Sequence, residues 1–322
     1  MALDSTWGND HMHRNEIFNT MLKDVLRDDL FAEQWVNYIG DFPDGSNYKI
    51  NSVGELTIDQ MAEATSLPDR RPDSGQFVFN INEFVGVKVP FTDVFLEDDF
   101  MAPQVLATLP DRMTRAFQEY LETRVLHLQA EQTNNDANSI NGAQHRFTAS
   151  GTGRVITTND LAYVNYALKK ANAGNTAMIG IVDPSFEFNT NISSQVVTDF
   201  NPQYRGIIET GIGSGFRFIR NIYGVDLYTS NYLDTEAAAE GSLAIYDGTT
   251  TATVAGDKIN VFFSASDRAN LPFIGAWRRR PVIKSWRDDD KETEYHQLSA
   301  RFGLQLYRPE TLVCLVSSTT LN

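Results

Sequence analysis

Five histidines, one cysteine, a glycine-rich stretch and a run of acids beside a run of arginines are where this 322-residue chain could build chemistry. His11 and His13 could chelate a metal as a pair, but an H-x-H so near an N-terminus is more often incidental. His127 meets Glu131 at i+4 and no second histidine, which reads as a surface contact on a helix. Neither HExxH nor a cysteine cluster occurs. ETGIGSGF (residues 209–216) carries glycines at 211, 213 and 215, whereas a dinucleotide fingerprint needs its third at the position of Phe216. GxxxxGK[ST] and GxSxG are both missing. Asp288, Asp289 and Asp290 could hold a cation, but Arg278, Arg279, Arg280 and Arg287 just upstream favour a solvated loop in charge balance. With Trp277 and Trp286 those arginines have the residue types of a nucleic-acid site. The run is short and RDDDKETE follows at once, so a salt-bridge network, one able to cross an interface, is the better reading. Cys314 sits in LVCLV and reads as a buried, inert thiol. Paired carboxylates of the glycosidase kind depend on three-dimensional geometry and stay open.

Charge narrows the classes further. The net charge is −15, and residues 1–100 hold 19 acids against 7 bases. Nucleic-acid binders draw their phosphate affinity from the opposite balance, so direct DNA or RNA binding is disfavoured. An acidic wall also resists adhesion to a packed polyanion. No apolar run reaches the roughly 18 residues of a membrane helix. The start has no basic segment followed by an apolar one, so no signal peptide is expected, and one cysteine suits a reducing compartment.

The elements that would position these residues follow from period. Ile17, Met21 and Val25, with Phe18, Leu22, Leu26 and Leu30, predict an amphipathic helix over residues 14–30. DFPDGSNY (residues 41–48) ends it with turn chemistry. Phe77, Phe79, Ile81, Val85, Val87, Val89 and Phe91 keep period two, which predicts one strand of about 15 residues. Residues 48–58 supply a partner strand. A two-stranded ribbon of that length is marginal alone in water, so it must pack on something, and a neighbouring subunit is the candidate. Leu106, Leu109, Met113, Phe117, Leu121, Val125 and Leu128 predict a helix over residues 103–132, which Pro110 begins or kinks. Asn141-Gly142 marks a turn. Thr157 with Asp160 is a capping-box start for a helix through Ala171. TAMIGIVD, two strands meeting at Tyr223-Gly224, KINVFFSAS and extended segments around Arg308-Pro309 complete a mixed α+β pattern.

Several stretches in this order resemble the major capsid proteins of tailed bacteriophages with the Hong Kong 97-type fold. VGVKVPFTDVFLEDD (residues 85–99) is similar to the passage that precedes that family's spine helix, and residues 103–132 to the spine helix itself. TNDLAYVNYALKKANAGNTAMIGIVDPSF (residues 158–186) resembles the helix-then-strand opening of the axial domain. NIYGVDLYTSNYLD (residues 221–234) resembles the family's hydrophobic-Gly-hydrophobic stretch that ends in Ser-Asn, and residues 295–318 a return strand of the peripheral domain. The resemblance implies an N-terminal arm (1–47), an extended β-hairpin loop (48–93), a peripheral domain (94–150 and 281–322) with the long spine helix, and an axial domain (151–280).

It implies a self-assembling structural protein of the virion, not an enzyme and without cofactor, made in the host cytoplasm. Hexamers and pentamers of the chain would form an icosahedral shell around double-stranded DNA contacted only non-specifically. Portal and scaffolding proteins would be partners, a decoration or cement protein an optional one, and a membrane none. Inter-subunit contacts are expected from Asp69, Arg70, Arg71 and Asp73 at the loop tip and from Phe77, Phe79 and Phe91 along the strand. Some relatives crosslink through a loop lysine. Here no lysine lies between Lys49 and Lys88, so charge pairing at the tip is expected instead, and the short arm points to a separate scaffold without large cleavage. An encapsulin-type nanocompartment shell and, in another class, a soluble α/β hydrolase are the alternatives.

Overall fold

A computed structural model describes residues 30–41, 47–54, 56, 58–61, 63, 69, 72, 74–99, 102–131, 139–173, 177–192, 218–236, 242–252, 254–265 and 268–320. The expected helix at 14–30 lies outside these but for its last residue. So do His11, His13 and the glycine-rich stretch at 209–216.

Helix α2 (Ala102–His127) carries the predicted stripe: Leu109, Met113, Phe117, Leu121 and Val125 are all buried at a spacing of four. The helix starts well before Pro110 and runs through it, at an exposed position. Helix α1 (Asp93–Asp98) precedes it, its first turn capped by the Thr92 hydroxyl, which accepts from Phe95 N at 3.4 Å.

Against α2 lies a four-stranded sheet in the order β1 (Val36–Asp41), β14 (Phe273–Asp288), β15 (Thr293–Leu306), β4 (Glu83–Thr92). Leu298, Ala300, Phe302 and Leu304 alternate along one face of β15 into the core that α2 covers. Strand β1 pairs only with the first part of β14, ending at Asp41 opposite Trp277, so the outer part of β14 is a sheet edge.

A six-stranded sheet runs β7 (Arg146–Thr148), β16 (Leu312–Ser317), β13 (Lys258–Ser264), β8 (Met178–Val182), β10 (Val225–Thr229), β9 (Phe218–Ile222). Both of its faces are buried. Leu312, Cys314 and Val316 join the core with α2, while Val313 and Leu315 pack under helix α3 (Thr158–Lys170) with Leu161, Val164 and Leu168. Double burial explains why LVCLV and MIGIV are unbroken apolar runs. Thr157 and Asp160 form the predicted capping box, and Asp160 also accepts from Ser150 N at 3.1 Å. Helix α4 (Pro184–Ile192) follows β8.

Three small pairings complete the fold. β5 (Ser139–Ile140) and β6 (Ala143–Gln144) turn at Asn141 and Gly142, whose φ values of 51° and 80° suit a primed hairpin turn. Tyr223 (54°) and Gly224 (84°) join β9 to β10 in the same way. β11 (Ser242–Ala244) pairs with β12 (Thr250–Ala252), and β2 (Asn47–Val53) with β3 (Ser74–Asn80).

One expectation needs correction. The single strand over 77–91 is two, broken at Ile81 and Asn82. Gly303 of β15 lets the crossing backbone lie directly on the sheet: a Cβ there would stand 2.3 Å from Asn80 O. β3 pairs with β2, and β4 turns away to join β15 from Glu83 opposite Phe302. Only the β2–β3 half is therefore a free-standing ribbon. The closing strand β16 pairs with β13 in the six-stranded sheet, and residues 273–280 lie in β14 of the four-stranded sheet.

Where the sheets meet the end of α2, a buried polar cluster ties three segments together. Arg146 donates to Gln129 Oε1 at 2.6 Å and to Glu236 Oε2 at 3.1 Å, and Gln129 donates to Asp234 Oδ2 at 2.9 Å. The buried Glu122 carboxylate accepts from the backbone N–H groups of Phe31 (2.9 Å) and Ala32 (2.7 Å). That holds the start of the 3-10 turn at Ala32–Trp35 to the long helix.

Candidate assembly surface

The aromatic residues expected at a subunit contact lie largely inside the chain. Phe79 is 0% exposed and packs with Ile81, Ile274 and Ala276. Phe91 is buried in the main core, 5.7 Å from both the Phe95 and His296 rings. Phe77 is half-buried with its ring edge on Tyr307 at 5.1 Å. Phe77 and Phe79 anchor the root of the ribbon to its own sheet, and Phe91 packs β4 into the core that α2 covers. The apolar partners change from one side of the sheet to the other at Ile81, yet the odd positions keep the period, which is why residues 77–91 read as one strand. Of the four charged tip residues only Asp69 is described, and it is exposed; Arg70, Arg71 and Asp73 lie outside the described residues.

What the ribbon leaves bare is elsewhere. Ile58 is 99% exposed, Met61 73% and Leu56 63%, in the segment that continues β2 outward. Large apolar side chains so exposed are the usual mark of a surface that a partner covers.

The second bare region is the outer half of the four-stranded sheet. From Arg279 to Arg287 every residue of β14 is exposed. The register sets Phe84, Arg301 and Arg279 in one row across three strands, then Lys88, Gln297 and Lys284, then Pro90, Tyr295 and Trp286. These rows share the face opposite to Leu298 and Ala300. Lys88 Nζ lies 3.7 Å from the Tyr295 ring and 5.0 Å from Trp286, which stack on each other at 5.4 Å. Arg279 lies 5.3 Å over Phe84 and donates to Ser299 Oγ at 2.9 Å. Asn82, Phe84, Arg278, Arg279 and Arg301 line a basin of about 690 Å³.

The acidic turn behaves as its sequence suggested in one part. Arg287 pairs with Asp93 at 2.5 Å and Asp289 at 2.9 Å, and Lys291 with Asp288 at 3.8 Å. His127 departs from its expected partner. The chain tightens into a 3-10 turn at Leu128–Glu131, which breaks the i+4 geometry. His127 faces Asp234 at 3.6 Å, and Glu131 accepts from Leu306 N at 2.8 Å. Cys314 is buried, and burial, only partly offset by Arg146, pushes its thiol up to about 11. His145, also buried, has its pKa lowered, chiefly by desolvation against the bond from its ring to Leu312 O. Sequence reasoning singled out Arg279 and Trp286 but missed Phe84, Lys88 and Arg301 beside them, because β4 lies some 200 residues away and meets them only through strand register.

No helix among the described residues is long and apolar enough to cross a membrane. No curated protein matches the chain significantly. Solved structures share its fold at low identity. The capsid of the cyanophage P-SCSP1u is 16% identical, with a TM-score of 0.66 over 95% of this chain and 93% of that one. The mature capsid of bacteriophage PhiM1 is 14% identical, with 0.68 over 94% and 91%. A structure from Mycobacterium phage Che8 is 15% identical, with 0.65 over 95% and 97%. A family model described as phage capsid protein matches residues 77–314. That span is well over half of the chain, and the long helix, the sheet beside it and the doubly covered sheet all fall largely within it: the chain belongs to the phage capsid protein family.

Proposed function

We propose that the chain builds its shell as hexamers and pentamers joined by noncovalent contacts, in the host cytoplasm, around double-stranded DNA that it meets without sequence preference. The observation that carries this reading is the ribbon. Its root is packed on its own sheet through Phe79 and Ile81, while its outer segment leaves Leu56, Ile58 and Met61 in water. Covering each of these on a neighbour is worth about 1.5–3 kcal/mol, so three of them repeated at every subunit contact are enough to drive association.

A separate scaffolding protein, a portal and an optional decoration protein complete the assembly in this reading. The acidic surface, with a net charge of −15, keeps the packaged polyanion from adhering to the wall. The loop tip contributes charge pairing through Asp69, Arg70, Arg71 and Asp73, and the absence of any lysine between Lys49 and Lys88 argues against a lysine crosslink there.

Negative-stain microscopy of the purified chain, with a denaturing gel of the same sample, tests both halves. Closed particles or rings of five and six subunits that run as single chains on the gel are the expected result. A protein that stays monomeric at micromolar concentration overturns the assembly reading, and a covalent ladder overturns the noncovalent one. Arg70→Glu with Arg71→Glu is expected to lower particle yield with the subunit still folded; normal yield removes the tip from the account.

A further inference from the structure

We propose that the groove between α2 and β4, together with the arginine-lined basin beside it, binds a lipophilic carboxylate: a fatty-acid anion of medium chain length. The inference goes beyond the shell reading and stands on a single subunit.

Two cavities share the Phe84 side chain. One is a groove of about 410 Å³ between β4 and α2. Its lining is apolar: Phe117 and Leu298 are buried, Val85 is half-buried, and Val87, Ala116 and Tyr120 stand exposed around them. β4 is an end strand of its sheet, so among the described residues no further strand roofs the groove. The other cavity is the basin of about 690 Å³ that Arg278, Arg279 and Arg301 line. Phe84 is 66% exposed between them, and the Arg279 guanidinium lies 5.3 Å from its ring.

Charge decides what the two cavities take together. The chain carries a net charge of −15, yet three guanidinium groups gather at this basin. Among the described residues no carboxylate forms an ion pair with Arg279 or Arg301. Glu83, the acid next to the groove, is already occupied: Arg124 donates to it at 2.5 Å and Tyr120 at 3.3 Å. A guanidinium fork matches a planar carboxylate through two parallel hydrogen bonds. The apolar remainder of the ligand belongs in the groove, since apolar walls with a few polar groups at one end are the usual form of a small-molecule site. The path from the arginines to the groove turns around one phenyl ring. A flexible acyl chain follows that turn where a fused ring system does not.

Isothermal titration calorimetry of full-length subunits with sodium dodecanoate is the test. Phe84 also belongs to the bare face of the sheet, so dissociated subunits are used. The expected result is saturable binding at micromolar concentration, weakening about two- to fourfold for each CH₂ removed along the series to octanoate. Dodecanoate should also raise the unfolding midpoint of the subunit. Arg279→Gln with Arg301→Gln is expected to weaken binding at least tenfold while keeping the dependence on chain length. Ala116→Phe, at an exposed helix position, should weaken it as much by filling the groove. Unfolding midpoints of the ligand-free variants close to that of the wild type show that the fold is intact. Dodecyltrimethylammonium, with the same chain and the opposite charge, should not bind. Equal binding of the two amphiphiles, wild-type affinity in either variant, or no saturable binding of dodecanoate overturns the inference. Binding confined to phosphatidylglycerol vesicles would reassign the surface to a membrane and equally overturn it. A wild type that stays monomeric and binds dodecanoate loses the shell reading and keeps this one.

Discussion

The six-stranded sheet and the outer half of the four-stranded sheet divide burial differently: the first, built of apolar strands, is covered on both faces, and the second, whose strands alternate apolar with charged residues, on one. In the first, Val261, Phe262 and Phe263 are all fully buried in succession, alternating between two cores. In the second, Leu298 and Ala300 are buried while Trp286 and Phe84 on the reverse side stand in water. Burial of both faces stores stability within one subunit. A face left bare stores it for a neighbour. The division lets a shell protein fold first and associate afterwards, with separate sets of residues responsible for each.

The contrast can be broken most forcefully at paired positions. Phe262→Ala should cost about 3–5 kcal/mol of subunit stability, since a buried ring leaves a cavity between tightly packed layers. Trp286→Ala should cost the isolated subunit less than about 1 kcal/mol and yet lower the yield of particles. Denaturant unfolding of dissociated subunits and sedimentation of assembled ones separate the two; equal stability losses would erase the distinction.

Arg146→Met should destabilise the subunit by about 3–5 kcal/mol, because it strands the buried Glu236 carboxylate. Arg146→Met with Glu236→Leu should recover much of that loss. A double variant as weak as the single one would show that the pair contributes more than mutual neutralisation.

A smaller effect depends on pH. His145 has its folded pKa below the ordinary 6.5, chiefly through burial. As pH falls through 6.5 the unfolded chain takes up the proton first, so stability is full above that value and declines below it, by at most about 1.4 kcal/mol per pH unit. Unfolding of the wild type and a His145→Gln variant at pH 7.5 and 5.5 checks the sign: the variant should lose less. Smallest of all is the effect of a thiol reagent at neutral pH. Cys314, its thiol pushed up to about 11, should stay unlabelled until the subunit unfolds.

Much of the covered half was legible from residue spacing. The stripe from Leu109 to Val125, the Thr157–Asp160 capping box and the turns at Asn141-Gly142 and Tyr223-Gly224 are local devices, so neighbouring residues suffice to announce them. The break at Ile81 was hidden because the alternation of side chains continues across it while the pairing partner changes from β2 to β15. LVCLV announced a strand buried on both sides and said nothing about which sheet would take it. The bare face was the least legible part. Lys88 and Arg301 look unremarkable one by one, Arg279 stood out only as part of an arginine run, and the register of three strands makes them a surface.

Cryo-electron microscopy of assembled particles tests the central claim most directly. The account predicts density from an adjacent subunit over the face bearing Phe84 and Trp286 and around Ile58, with none inserted into the six-stranded sheet. Particles in which both regions remain in open solvent would contradict it.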